Sequence, residues 1–512
     1  MNFLTFNDML RRAAWRLPDH PFLYWSDRKR SITYAQGDLL SDKVAGALSE
    51  LGVQQGDRVG IFAHNGLDYV IAMFGAWKLG AISSHISVLQ QDNLAYFAQD
   101  STPSVLIYTG DLHHVIERDR PKMPSIKHYI CLDGEKPGSK DWNTLVESAK
   151  PLPPVNVSDE APAHLSYTSG TSGKPKGAVL AHGHTARATH CIAERLGLSS
   201  QDISMGPTSL ASSYILVANL LPSVHRGCYI GIRTKWDPEV IWDEMDQLGT
   251  TFFVGNPIVL TDLLNISLKR GRKPAALRLT VSGGAPVPPD LKRAYYDTLN
   301  LPLVESYGQS ELGGFVALGY PHREPEERMG TIGPCLPDKE VRIVDENDRE
   351  VPIGQAGEIV IRGGFMIGYW NMPEKTSQAL RNGWLHTGDM GCMDSEGYIT
   401  LLGRWSERIV SHGKVIFPRK MEEALYKHPS VRYVAVIGKP DPVAGQLPKA
   451  IVELYKDKPS VTGPELLEHC QKLLGAENTL VEVEIIEQIP MTPTGKIGKA
   501  DLQQRENSKY QK

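Results

Sequence analysis

The chain has 512 residues, 41% of them apolar and 22% charged, with a net charge of −4. That length exceeds one compact core and predicts at least two domains, and so weak a charge spread so thinly excludes nucleic acid as a main partner. Six cysteines stand far apart with no C-x-x-C pair, which argues against a disulfide framework or a structural zinc site and for a reduced, cytoplasmic protein.

In chain order, the N-terminus lacks the basic and apolar regions of a signal peptide. Arg58–Phe62 reads as a strand, followed by helical spacing that puts Val70, Phe74 and Trp77 on one face. The most apolar stretch, Tyr69 to Ile82, contains Lys78 and is too short to span a bilayer, so no integral membrane association is expected. Ser104–Tyr108 is a second apolar strand; Lys136 to Pro162, rich in Pro, Gly, Ser and charge, reads as an exposed connection. Strands are also predicted at Thr251–Val254 and Glu358–Ile361. The alternation of strand and helix predicts a large N-terminal α/β domain with a mainly parallel sheet, over residues 1–402. A hinge is expected at 403–407 and a small α+β domain at 408–512, with strands near Arg408, Val434 and Val481 and helices near Pro418 and Gly463.

The densest chemistry lies in Tyr167-Thr168-Ser169-Gly170-Thr171-Ser172-Gly173-Lys174-Pro175-Lys176-Gly177. Four Ser/Thr hydroxyls, three glycines and two lysines in eleven residues make a loop able to cradle phosphates. The spacing is not that of a Walker A loop. The bland alternative is a Ser/Gly-rich surface linker, which rarely ends in Lys-Pro-Lys-Gly.

Five further stretches follow in order: Ser282-Gly283-Gly284-Ala285-Pro286, Tyr307-Gly308-Gln309-Ser310-Glu311, Trp384 to Asp389, Gly403-Arg404, and Pro490 to Lys499 with Gly495-Lys496 inside it. Together with the loop they resemble the signature motifs of the acyl-adenylate-forming superfamily, which includes acyl-CoA synthetases, adenylation domains and beetle luciferases. The resemblance covers nearly the whole chain. Any single motif is weak, because an isolated Lys496, Glu311, Asp389 or Tyr307 is more often a surface, helix-end, turn or core residue.

The resemblance implies an ATP-dependent acid–thiol ligase of the acyl-CoA synthetase type. MgATP and a carboxylic acid give an acyl-adenylate, and the acyl group then passes to coenzyme A. It implies that Thr168, Ser169, Gly170, Thr171, Ser172, Gly173 and Lys176 hold the phosphates and that Glu311 holds Mg²⁺. It further implies that Gly283, Gly284 and Ala285 lie against the adenine, with Tyr307 stacked on it and Ser306, Gly308 and Gln309 beside the nucleotide. Ser310 donates to the α-phosphate, Asp389 takes the two ribose hydroxyls, Arg404 contacts the ribose or the backbone near the pivot, and Lys496 bridges carboxylate and α-phosphate. Lys496, Lys176, Thr168 and Glu311 are thus the expected catalytic set. The chemistry suits these types, since a carboxylate attacking a polyanion needs cations and oriented donors where charge develops.

A small domain that closes for adenylation and then rotates would pivot at Ser406, where the family more often has Asp or Lys. Ser411-His412-Gly413 resembles the loop lining the coenzyme A tunnel. Lys420 and Gln446 stand where the family often has Glu. For the acid pocket the expectation is Leu210, Ala211, Tyr214, Gly283 and Gly313, with Leu210 replacing the usual aromatic gate and room for an aromatic, cyclic or medium-chain acid. Two alternatives stay open at this stage, a stand-alone enzyme loading a carrier protein and a non-catalytic acyl-nucleotide binding module; so does a homodimer.

Overall fold

The computed structural model describes residues 5–168, 175–456, 458–475, 480–491 and 497–510. Among these residues the strands form four sheets, two of eight strands and two of five. The first large sheet runs Gly314–Leu318, Leu303–Gln309, Leu279–Ser282, Phe252–Gly255, Ile203–Met205, Tyr229–Ile232, Pro21–Trp25, Arg30–Thr33, and is parallel except at its two ends. The second has Arg58–Phe62 at its centre, flanked in parallel by Ile82–His85 and Val105–Tyr108. Its other end turns antiparallel through Pro162–Tyr167, Gly177–Ala181 and Gly368–Tyr369.

The helix Leu67–Lys78 packs against strands of both sheets and is buried along its whole length. A helix without a polar face belongs inside a core, so the one-sided stripe expected from Val70, Phe74 and Trp77 is replaced by burial all round. Lys78 is paired there, with Asp38 and Asp42 meeting its Nζ at 2.6 and 2.7 Å. The segment 136–162 is not merely an exposed connection. It carries a short strand, Lys140–Asp141, and a helix, Trp142–Ser148, whose Trp142 and Val146 are buried; Asp141 caps that helix by accepting from the Thr144 amide.

The third sheet, from Glu340 to Arg404, is antiparallel and supplies the strands Trp384–Met393 and Ile399–Arg404. From Ile409 onward the chain builds its own sheet, Ile409–Ser411, Lys414–Ile416, Val431–Asp441, Gly445–Leu454 and Glu482–Ile485. Helices Arg419–Tyr426, Gly463–Leu474 and Lys499–Ser508 cover it over separate apolar clusters. The architecture is thus a large multi-sheet α/β domain followed by a smaller C-terminal α+β domain. All six cysteines are free, and no helix among the described residues is long and apolar enough to cross a membrane.

Candidate functional site

The Ser/Gly-rich loop is the connection of a β-hairpin. Tyr167 pairs with Gly177 across Pro162–Tyr167 and Gly177–Ala181, so Thr168 and Lys176 stand opposite each other at its base. The Thr168 amide donates to the Lys176 carbonyl at 2.9 Å. Ser169, Gly170, Thr171, Ser172 and Gly173 lie outside the described residues. The strand Gly368–Tyr369 adds to the hairpin and brings the Tyr369 ring 4.1 Å from Lys176 Nζ, while the Tyr369 hydroxyl donates to Glu311 Oε1 at 2.7 Å. Burial lowers the Lys176 pKa; Glu311 opposes this, and Lys375 and Arg404 add to it. Lys176 is therefore a partly desolvated cation whose charge an incoming anion would favour.

The strand Leu303–Gln309 carries the next group. The Tyr307 hydroxyl and Gln309 Nε2 both donate to Asp389 Oδ2, at 2.7 and 2.6 Å, and Arg404 Nε lies 3.0 Å from Asp389 Oδ1. Asp389 and Arg404 are register partners across Trp384–Met393 and Ile399–Arg404. Burial and the Asp389 carboxylate push the Tyr307 hydroxyl pKa up, so it stays a donor. With roughly four acceptor positions on a carboxylate, three donors leave Asp389 about one for a ligand, and Arg404 supplies the complementary donors. The orienting roles of Tyr307 and Gln309 toward Asp389 were not read from the sequence.

Gly283 lies between this strand and the side chain of Tyr214. A β-carbon on it would stand 2.3 Å from Ser306 Oγ and 2.9 Å from Tyr214 Cε2. Ser306 Oγ donates to the Ser282 carbonyl at 2.9 Å, and Ser310 Oγ meets Ser213 Oγ at 3.1 Å. Ser212 caps the short helix Ser213–Ile215, which runs into a π-turn at Leu216–Leu220. Local widening of this kind is common at functional sites. Burial raises the Tyr214 hydroxyl pKa, and that hydroxyl points toward the Gly255 and Val281 carbonyls at the far limit of hydrogen bonding, 3.4 and 3.5 Å.

These residues share one cavity of about 1470 Å³. Thr168, Lys176, Ala211, Tyr214, Gly283, Gly284, Ala285, every residue from Ser306 to Glu311, Gly313, Asp389 and Arg404 line it. Leu210 does not. Its amide donates to Asn65 Oδ1 at 2.7 Å and its side chain joins the main core, so the wall here is made by Ala211 to Tyr214. Gly313, at φ +57°, lines the cavity, but a side chain there would point at Thr185 Oγ1.

From the small domain, Arg419, Glu422, Met491, Ile497 and Lys499 face the cavity. Lys496 lies outside the described residues; Met491 and Ile497, on either side of it, form an isolated antiparallel bridge. Ser411, His412 and Gly413 make the turn between Ile409–Ser411 and Lys414–Ile416, with φ of +49° at His412 and +74° at Gly413, and this turn is not on the cavity wall. Ser406 sits exposed in the turn Trp405–Glu407 between the domains.

Glu311 offers hard carboxylate oxygen beside a lysine. Among the described residues no cluster of three His, Cys, Asp or Glu could enclose a metal. A single carboxylate completed by ligand phosphates suits Mg²⁺, which keeps waters and prefers phosphate oxygen, better than it suits zinc.

A family model described as AMP-binding enzyme matches residues 10–370, and one described as AMP-binding enzyme C-terminal domain matches residues 420–496. The acyl-CoA ligase sidI of Aspergillus fumigatus is 30% identical over 535 aligned positions, covering 98% of this chain and 90% of that protein. A feruloyl-CoA synthase of Amycolatopsis sp is 30% identical over 478 positions, covering 93% of this chain and 94% of its own length. Among solved structures, the anthranilate CoA ligase AuaEII in complex with anthranoyl-AMP superposes with a TM-score of 0.91 at 25% identity, over 99% of this chain and 98% of that one.

Proposed function

The chain belongs to the AMP-binding enzyme family, and from that membership we propose that it joins an aromatic, cyclic or medium-chain carboxylic acid to coenzyme A at the expense of ATP. It is an AMP-forming acid–thiol ligase. In the first half-reaction a carboxylate oxygen attacks the α-phosphorus, the bond to the β-phosphate oxygen breaks, and pyrophosphate leaves. In the second, the coenzyme A thiolate attacks the acyl carbon and AMP departs, so no protein nucleophile is needed.

Within this reading Lys176 and the hairpin loop, including Thr168, hold the β- and γ-phosphates. Tyr307 and Gln309 orient Asp389, which with Arg404 takes the ribose. Gly283, Gly284 and Ala285 leave room for the adenine, and Ser310 donates to the α-phosphate. Lys496 neutralises the carboxylate and α-phosphate as they meet. Glu311, steadied by Tyr369, would hold Mg²⁺, whose chemistry there is to spread the charge of the phosphates. Ala211 and Tyr214 wall the acid pocket. The small domain pivots at Ser406, from 403–407, and then offers Ser411, His412 and Gly413 to the thiol. A cytoplasmic setting belongs to the same proposal, and six unpaired cysteines suit it.

The observation that carries the reading is the convergence of Lys176, Glu311, Asp389 and Arg404 on one cavity that continues past Gly283 to Tyr214. The test is pyrophosphate release across a panel of aryl, cyclic and linear acids, with and without coenzyme A. Acid-dependent release coupled to thioester formation is expected. Release from no acid in the panel would overturn the proposal, and adenylate accumulating without transfer to coenzyme A would overturn its second half.

A further inference from the structure

A group of four charges, three of them buried and Glu423 partly exposed, crosses the boundary between the domains at the nucleotide strand. In the large domain, Lys292 Nζ lies 2.6 Å from Glu305 Oε2 and also donates to the Thr331 carbonyl at 3.0 Å. Glu305 immediately precedes Ser306 and accepts from the Val287 amide at 3.3 Å. In the small domain, Arg419 opens the helix Arg419–Tyr426, and its Nε lies 2.7 Å from Glu423 Oε1. The two pairs meet where Arg419 Nη2 stands 3.8 Å from Glu305 Oε1. The Arg419 and Glu305 side chains keep only 7% and 4% of their exposure, and Arg419 Nη1 is a buried donor with no hydrogen-bond partner among the described residues.

The arrangement has an electrostatic consequence. Lys292 with Glu305 is neutral, and so is Arg419 with Glu423. If the small domain leaves, each domain keeps a closed ion pair and no buried charge is orphaned, which is the circumstance that makes breaking buried pairs costly. When the small domain is in place, the Arg419 cation is added to Glu305 in a site screened from water, where charges act more strongly. The contact therefore favours the closed arrangement without making it permanent.

We propose that Arg419 is a positioning residue for the adenylation half-reaction: through Glu305 it seats the small domain on the nucleotide strand, and it releases that strand for the thiol step. This rests on the two-step reading above. The exposed contact of Lys427 Nζ with Asp290 Oδ2, 3.4 Å across the same boundary, has both side chains 43% exposed and contributes little.

The test measures the two half-reactions separately in the full-length protein, as acid-dependent pyrophosphate exchange and as thioester formation from supplied acyl-adenylate and coenzyme A. Arg419→Met is expected to slow exchange about tenfold or more while leaving thioester formation within about twofold of the parent. Arg419→Lys should recover most of the exchange. Lys427→Met should change either reaction by less than about twofold. Should Arg419→Met fold poorly, Glu305→Gln, which keeps the shape of the side chain, should give the same split. Exchange unaffected in the folded variant, or equal loss in both half-reactions, overturns the inference. A parent enzyme that performs neither half-reaction overturns instead the function on which it rests.

Discussion

Gly283→Ala tests whether the nucleotide strand and the acid pocket are held apart by the absence of one methyl group. The added carbon would lie 2.3 Å from Ser306 Oγ, 2.9 Å from the Ser306 carbonyl oxygen and 2.9 Å from Tyr214 Cε2. Comfortable non-bonded contact begins near ~3.5 Å, so all three must yield. The Ser306 hydroxyl can rotate only by giving up its bond to the Ser282 carbonyl, at about 1 kcal/mol. The Ser306 carbonyl belongs to the backbone that aims Tyr307 and Gln309 at Asp389, and overpacking of this kind costs about 1–3 kcal/mol. The sum, about 2–4 kcal/mol, corresponds to about 30- to 1000-fold if all of it fell on the transition state. Because the Tyr214 ring can absorb part by moving into the cavity, pyrophosphate release should fall about 10- to 100-fold, more for bulky acids than for small ones. Adding Ser306→Ala removes the shortest contact and should restore part of the rate. Parent-like rates with bulky acids, together with an unchanged melting temperature, would refute the geometry.

Other consequences can be checked in parallel. Glu311→Gln should raise the magnesium concentration needed for half-maximal pyrophosphate release and lower the rate about 100-fold, and a magnesium titration identical to the parent's would remove Glu311 from that role. Lys496→Ala should abolish adenylate formation yet let supplied acyl-adenylate react with coenzyme A; Gly413→Trp should do the reverse, and equal loss of both half-reactions in either variant counts against the assignment. Asp202 concerns stability. Burial opposes its charge, but bonds from Arg278 and Thr251 outweigh burial and hold the carboxyl below its usual range. The stability this lends is complete above the unfolded pKa of about 3.9 and is lost as pH falls through the lower folded value. Arg278→Met should therefore bring acid unfolding to higher pH in a circular-dichroism titration, and an unmoved transition would show that the pair adds nothing.

What the sequence could reveal depended on how local the cause was. That Thr168, Lys176, Glu311 and Asp389 would lie together could be read from the sequence because they stand in short, ordered runs of chemically demanding residue types. The strands near Arg58, Thr251 and Glu358 were legible from apolar runs between turn signals. Leu210 lies in the core and off the cavity wall, in backbone held by Asn65, 145 positions earlier, which no local pattern signals. The Tyr369 ring beside Lys176 depends on the pairing of Gly368–Tyr369 with Ala178–Val179, a register that no local pattern encodes. Tyr307 and Gln309 reach Asp389 across two different sheets. The buried Trp142 helix escaped notice because the surrounding Pro, Gly and charge masked a seven-residue element.

The parallel strands explain where the cavity is. Leu303–Gln309 and Pro162–Tyr167 deliver their last residues to it, and Phe252–Gly255 and Leu279–Ser282 deliver the residues that follow them, Asn256 and Gly283, as open α/β sheets do at the carboxyl ends of their strands. That geometry also limits how many cations the large domain can hold ready. Lys176 is already partly desolvated and sits in the field of Lys375 and Arg404, with Glu311 as the counterweight in its surroundings. A further fixed lysine at the same place would depress its protonation more before any phosphate arrived. Under the proposed role of Lys496, carrying the last cation on a separate domain would remove that conflict. On the proposed mechanism the polyanion would enter first and raise the affinity of the site for positive charge, and closure would then add it. The C-terminal domain's own apolar core fits the proposed role, which asks it to move as a unit about the contact of Arg419 with Glu305.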